Sequence, residues 1–140
     1  MLITDMTPVE CQQMMTRTDL GRLGCARNDQ PYIVPIYFAY ESEHLYGFTT
    51  VGTKIEWMRT NPKVCVEFDE IVNHFRRKSV TVTGRYQELP NTPELRLERL
   101  HALKVLRKRR RWWQIGLAAK QLLTRHQVAN TLFFAFTLTQ

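Results

Sequence analysis

The sequence predicts a mainly β domain with peripheral α-helices, in which six short antiparallel strands form a closed or nearly closed barrel. The clearest strand covers residues 63–69, where Val64, Val66 and Phe68 fall on one face and mostly polar residues fall on the other. A half-buried strand has this alternation. The same period of two recurs in two later segments, residues 80–86 and 132–138. Closure into a barrel is favoured because it removes most of the exposed strand edges.

The remaining strands are predicted as two hairpins near the start of the chain. A strand over residues 20–26 leads through the turn-forming residues 28–31 into residues 32–40, which are almost continuously apolar and β-branched or aromatic. The polar residues 41–43 then separate that run from a further strand over residues 45–50. Turn chemistry between two β-rich runs is typical of hairpins.

Helices are predicted at the margins of the strands. Thr7, Pro8 and Glu10 provide an N-cap hydroxyl, a proline at the first helical position and a glutamate at the third, which predicts a capping box and a helix from there to about residue 16. The other predicted helices cover residues 53–59, a longer stretch opening at residues 92–94, and residues 115–127.

Length and composition indicate one globular domain spanning residues 1–140. The 140 residues contain 44% hydrophobic and 24% charged residues, as in ordinary soluble domains, and no repeat or linker interrupts them. No apolar stretch approaches the roughly 20 residues of a membrane span, and the first residues lack a basic and then apolar leader. We therefore expect a cytoplasmic protein.

The cysteines and histidines indicate neither a disulfide framework nor a metal site. Cys11, Cys25 and Cys65 are few, odd in number and lack Cys-x-x-Cys spacing, so buried free thiols are expected. The four histidines are scattered, with no i,i+4 pair that would place two ligands on one helical face. Hydrolase, Walker-loop and Gly-x-Gly-x-x-Gly motifs are also missing from the sequence.

The net charge of +7 owes much to a basic run at residues 104–111, which Trp112 and Trp113 follow. Arginines that bind phosphates and indoles that stack on bases would suit a nucleic acid. Nucleic-acid binding is the minor alternative. The favoured interpretation is a solvated helix end, because cations in the last turn complement the helix macrodipole.

Two segments have the chemistry of a ligand site. Pro35 lies within the most apolar strand and marks an edge, a bulge or an opening of the sheet, since proline cannot donate to the ladder. Residues 49–56 follow a strand and open a helix, so backbone N–H groups, threonine hydroxyls and Lys54 could converge on a phosphate. An edge-strand proline and an internal capping box of Thr53 with Glu56 are the structural alternatives.

The ordered set of segments across residues 18–89 resembles the pyridoxamine 5′-phosphate oxidase-like FMN-binding split β-barrels, especially the branch related to nitroimidazole-reducing proteins. The matching segments are Gly21-Arg22-Leu23-Gly24, residues 31–36, Leu45-Tyr46, Gly52-Thr53-Lys54, residues 61–67 and residues 79–85. The resemblance implies a six-stranded antiparallel split barrel of the FMN-binding type, and a homodimer with FMN at the subunit interface.

The resemblance also implies which residues hold the cofactor. It places the flavin ring along the backbone of Ile33, Val34, Pro35 and Ile36, and the FMN phosphate on Thr49, Thr50, Thr53 and Lys54. It further implies that Ser79 reaches the flavin of the partner subunit, and that Trp112 or Trp113 closes the ring pocket. No catalytic residue is identified.

The resemblance implies a flavin-dependent oxidoreductase that passes electrons from a reduced nicotinamide nucleotide to a small organic acceptor. Since the cofactor carries the redox chemistry, an enzyme of this kind needs no acid–base constellation in the sequence. The alternative is a non-catalytic module that stores or senses a flavin, a haem or a deazaflavin. Turnover of a reduced nicotinamide nucleotide distinguishes the two.

Overall fold

A computed structural model describes residues 4–109 and 131–139. Its elements, in chain order, are α1 (Pro8–Arg17), β1 (Leu20–Arg27), β2 (Gln30–Tyr37), β3 (Ala39–Glu41), β4 (His44–Thr50), α2 (Thr53–Thr60), β5 (Lys63–Ile71), β6 (Arg77–Glu88), α3 (Arg96–Arg107) and β7 (Thr131–Thr139). The mainly antiparallel β architecture with peripheral helices is confirmed. The helix expected over residues 115–127 lies outside the described residues.

The strands form one antiparallel sheet in the order β2-β1-β5-β6-β7-β4-β3. Its two edge strands, β2 and β3, are consecutive in the chain and are separated only by Phe38. The prediction of one strand over residues 32–40 was therefore wrong, and the sheet has seven strands instead of six. The division marks a change of partner: the Phe38 N–H still bonds on the β1 side, to the Asp19 carbonyl over 2.8 Å, whereas Ala39 pairs with Tyr46 of β4.

The sheet curls towards a barrel but its hydrogen bonding does not close. β2 pairs with β1, from Leu20 opposite Tyr37 to Arg27 opposite Gln30. β3 pairs with β4 over only three residue pairs, which begin with Ala39 opposite Tyr46. Beyond that pair the two ladders part, since β4 continues against β7. An opening is left between β2 and β4, and Pro35 lies on the edge strand β2, as its missing N–H predicts.

The core fills the inside of the curled sheet. Four fully buried phenylalanines, Phe38, Phe68, Phe134 and Phe136, form its centre, and Met14 of α1 and Met58 of α2 are buried with them. A second cluster joins Val105 and Leu106 of α3 to the opposite face of β4 and β7. The strand alternation predicted for residues 63–69 is confirmed, with Val64, Val66 and Phe68 on the buried face.

The helix ends agree with the sequence at α1 and differ at α3. The Thr7 hydroxyl accepts from the Glu10 N–H, and the Glu10 carboxylate accepts from the Thr7 N–H, so the capping box is confirmed. α3 begins at Arg96 and not at residues 92–94, because residues around Thr92 form a turn in which the Leu95 N–H donates to the Thr92 carbonyl. None of the described helices has the length and hydropathy of a membrane-crossing segment.

The burial of Arg109 contradicts the prediction that the basic run is a solvated helix end. Its side chain is only 15% exposed and lies 3.1 Å from the Asp19 carboxylate. The same guanidinium donates to the carbonyls of Met15 and Thr16 at the end of α1. Arg109 therefore ties the end of α3 to the end of α1, while Arg110 and Arg111 lie outside the described residues.

Candidate functional site

The two halves of the sequence-predicted site lie on the two sides of the opening between β2 and β4. If the β3–β4 register continued past Phe38, Pro35 of β2 would lie opposite Thr50 of β4. Instead, β2 pairs only with β1, and beyond Tyr46 β4 pairs only with β7. The strand predicted to hold the ring and the segment predicted to hold the phosphate thus border the same gap, although they are at opposite ends of the sheet order.

On the β4 side, the first turn of α2 is free of side-chain caps. Its N-cap is Gly52, which has no side chain to offer, and Thr53 is the first helical residue and not the cap. The capping box of Thr53 with Glu56 is therefore absent, and the Glu56 N–H bonds to the Gly52 carbonyl. Within the described residues, the N–H groups of Thr53, Lys54 and Ile55 keep the donor capacity that an anion at a helix N-terminus uses.

The environment of Lys54 also indicates an anion site at the start of α2. Its side chain is half-buried, and burial lowers the pKa of the Lys54 ammonium, an effect that the nearby Cys25 thiol partly opposes. No carboxylate of the described residues lies within salt-bridge distance of it. A cation in the first turn of a helix is electrostatically unfavourable, so a bound anion here would compensate both the burial and the helix dipole.

Three hydroxyls accompany Lys54 at this end of the opening. Thr49 and Thr50 end β4 opposite Leu132 and Thr131 of β7. Thr49 is half-buried, whereas Thr50 and Thr53 are exposed. These hydroxyls, Lys54 and the uncapped N–H groups lie within residues 49–55; that they hold a phosphate stays a prediction.

On the other side of the opening, β2 alternates between the core and the outside. Ile33 is 70% exposed and Pro35 is also exposed, whereas Ile36 is buried in the core and Val34 packs against it. Because β2 pairs only with β1, its second backbone edge has no strand partner among the described residues. A planar ligand could therefore lie along this edge and meet free backbone groups.

Ser79 is not brought near these residues within one chain. It lies exposed on β6, where its hydroxyl donates to the Glu67 carboxylate over 2.8 Å. It borders a different cavity of about 1050 Å³, between the start of β6 and the segment before α1. Trp112 and Trp113 lie outside the described residues.

Sequence reasoning missed an apolar pocket of about 850 Å³ on the outer face of the sheet, here called the outer pocket. Its lining includes Ile33, the one residue that it shares with the predicted site, together with Gly24, Cys65, Lys63 and Arg85. The prediction that the cysteines are buried is wrong for Cys65, which is exposed here; all three cysteines are free thiols. The period-two pattern of β5 carried the signal, because it places Lys63 and Cys65 on the outer face.

The described residues contain no group of three or more histidines, cysteines and carboxylates that could hold a metal ion.

Comparisons with known proteins identify the fold and the family. The protein RA0666 of Rhizobium meliloti strain 1021, described as uncharacterized, is 48% identical over 116 residues, which are 83% of this chain and 77% of the relative. The crystal structure of a FAD-binding protein of Mesorhizobium loti is 42% identical, with a TM-score of 0.79; the match covers 100% of this chain and 95% of that one.

More distant structures share the fold alone. A protein named for 5-nitroimidazole antibiotic resistance in Bacteroides thetaiotaomicron is 22% identical, with a TM-score of 0.69 and coverage of 99% of this chain and 83% of that one. Haem-binding and haem-storage proteins also have this fold, at 10% and 15% identity.

The profile of the family described as pyridoxamine 5′-phosphate oxidase matches residues 7–140. The chain therefore belongs to the pyridoxamine 5′-phosphate oxidase family of split β-barrels.

Proposed function

We propose that this protein is a flavin-dependent oxidoreductase that holds FMN in the opening between β2 and β4. The observation that carries the proposal is Lys54, a half-buried ammonium without a carboxylate partner among the described residues, at the uncapped start of α2. A phosphate monoester supplies the negative charge that this position lacks. The isoalloxazine ring would follow the free edge of β2.

Each part of the site has a separate task in this proposal. Lys54 neutralises the phosphate, while Thr49, Thr50 and Thr53 donate hydrogen bonds to it. The backbone from Val34 to Ile36 orients the ring, and the absence of an N–H at Pro35 leaves that level of the edge without a donor. When bound, the flavin supplies the redox chemistry, and the protein supplies binding, orientation and environment. Electrons would pass from a reduced nicotinamide nucleotide to a small organic acceptor.

The identity of the flavin is tested directly on the purified protein. Denaturation releases a non-covalent flavin, and chromatography separates FMN from FAD. We expect FMN, because the donors at the start of α2 suit one terminal phosphate. The Mesorhizobium loti relative is described as binding FAD, so released FAD would keep the flavin site and overturn the choice of FMN. A colourless protein that neither flavin reconstitutes would overturn both.

Catalysis is tested by turnover. An enzyme oxidises NADH or NADPH in many-fold excess over protein when an acceptor such as menadione is supplied. Tight flavin binding without turnover would support the alternative, a module that stores or senses a flavin. Haem is the other candidate ligand, because haem-binding proteins share the fold. However, no histidine lines the outer pocket in the described part of the chain, and the donor set at α2 suits a phosphate better than an iron.

We expect a homodimer with two flavin sites. Ile71, Val72 and Phe75 expose between 67% and 77% of their surface, more than scattered surface residues require, and Ser79 lines a cavity that includes none of residues 49–54. FMN should shift the equilibrium towards the dimer, because a ligand that contacts both subunits stabilises the assembled state. Sedimentation with and without FMN measures this. A monomer that binds FMN tightly would contradict the shared site.

A further inference from the structure

The outer pocket is built from two adjacent cross-strand rows of side chains. The first row runs Ile33, Gly24, Cys65, Thr83, Thr139 across β2, β1, β5, β6 and β7. Apart from Ile33 at its end, its side chains are small. A Cβ on Gly24 would lie 2.8 Å from the Cys65 sulfur, so a larger residue here would displace the thiol from its position over the glycine. The row forms a smooth, mostly apolar floor.

The second row carries two cations side by side. Lys63 of β5 and Arg85 of β6 are direct cross-strand partners, and both are exposed on the pocket side of the sheet. Side chains in such pairs start from Cβ atoms about 5 Å apart, and like charges there are destabilising. The next strand supplies no negative charge opposite Arg85, because its partner on β7 is Thr137.

Neither cation has a compensating carboxylate in the part of the chain that the structure describes. No Asp or Glu of the described residues lies within salt-bridge distance of Lys63 or Arg85. Elsewhere on the same face the sheet does pair its charges, since Arg22 contacts both Glu67 and Asp69. The unpaired cations therefore occur where the floor is apolar and the volume, about 850 Å³, is that of a small-molecule site.

We propose that the outer pocket binds a planar organic anion, whose apolar body lies on the row from Ile33 to Thr83 and whose carboxylate bridges Lys63 and Arg85. An anion between the two cations replaces repulsion with two charge-assisted contacts. The binding itself does not depend on the flavin. That the anion is the electron acceptor rests on the proposed function, because Ile33 belongs both to this floor and to the strand along which the flavin ring would lie.

Calorimetric titration of the purified protein with 2-naphthoate and with its neutral counterpart 2-naphthamide tests the proposal. We expect 2-naphthoate to bind at least tenfold more tightly than the amide. Lys63→Gln and Arg85→Gln should each lower its affinity about tenfold, as the loss of one charge-assisted contact does. Arg77→Gln is the matched control, an exposed cation farther along β6 that faces Ile71; it should bind as the unaltered protein does.

Urea unfolding without ligand separates ligand binding from a structural role. Lys63→Gln and Arg85→Gln should unfold at the same or a higher urea concentration, because each removes a like-charge contact. Equal affinity for naphthoate and naphthamide, no binding of naphthoate at millimolar concentration, or unchanged affinity in both variants would overturn the proposal. So would a monomer–dimer equilibrium that the two variants shift while naphthoate fails to bind, since the cations would then serve a second copy.

The two proposals fail separately. Lys54→Ala should lose FMN affinity and keep naphthoate binding, whereas Lys63→Gln should keep its flavin. If neither flavin reconstitutes the unaltered protein and naphthoate still binds, the outer pocket stands as an anion site and its role in electron transfer is overturned.

Discussion

Replacing Lys54 with alanine is expected to weaken FMN binding by about 10- to 100-fold, the loss that one partly desolvated charge-assisted contact implies. The side chain is half-buried beside the uncapped start of α2 and has no carboxylate partner among the described residues. Fluorescence titration of the apo-protein with FMN measures the affinity. Lys54→Arg should recover part of it, and Lys104→Ala, at an exposed position on α3, should change nothing.

The same variant has a second readout that does not involve flavin. Burial places the pKa of Lys54 in the folded protein below the value of 10.5 in the unfolded chain. Between these values the unfolded state binds more protons, so the free energy of unfolding rises with pH in the alkaline range. Lys54→Ala should flatten that rise. An unchanged FMN affinity together with an unchanged alkaline profile would remove Lys54 from the phosphate site.

Replacing Arg109 with glutamine is expected to lower the free energy of unfolding by about 2 kcal/mol, less than the loss of a fully buried ion-pair partner costs. The guanidinium lies 3.1 Å from the Asp19 carboxylate and 3.0 Å from the Met15 carbonyl, and glutamine cannot reach all of its partners at once. The carboxylate would stay partly buried without its cation. Urea unfolding at neutral pH measures the change.

Two controls make this result specific to the contact. Arg109→Lys keeps the charge but not the planar fork, so it should recover only part of the stability. Lys104→Gln removes a cation from the exposed side of α3 and should stay within about 0.5 kcal/mol of the unaltered protein. If Arg109→Gln and Lys104→Gln unfold at the same urea concentration, then the bridge between α3 and α1 contributes nothing measurable.

Local patterns predicted the elements well because each depends on neighbouring residues. The capping box of Thr7 and Glu10 and the alternation of β5 require no knowledge of the rest of the chain. The same reasoning left Thr53 open as a cap, since its spacing to Glu56 is equally compatible with a first helical position after a glycine. Only the backbone conformation at Gly52 shows that Thr53 is the first helical residue and not the cap.

What the sequence could not predict depends on contacts between distant segments. The division at Phe38 arises because the chain changes its partner there from β1 to β4, and Arg109 is buried by the end of α1, some 90 residues earlier in the chain. The outer pocket likewise depends on β1, β5 and β6 lying side by side, because no single strand holds both a glycine floor and the paired cations. The resemblance identified residues near the opening between β2 and β4, but it did not identify this outer face.

The position of β7 has a consequence for how the chain folds during synthesis. β7 comprises residues 131–139, yet it lies inside the sheet, paired with β6 on one side and with β4 on the other. Until the ribosome has released it, the sheet exists as two separate pieces with unsatisfied edges, β2-β1-β5-β6 and β4-β3. Cooperative folding therefore waits for residues 131–139, and until then the edges of β6 and β4 that β7 will cover are open to aggregation, which chaperones that shield nascent chains would counter.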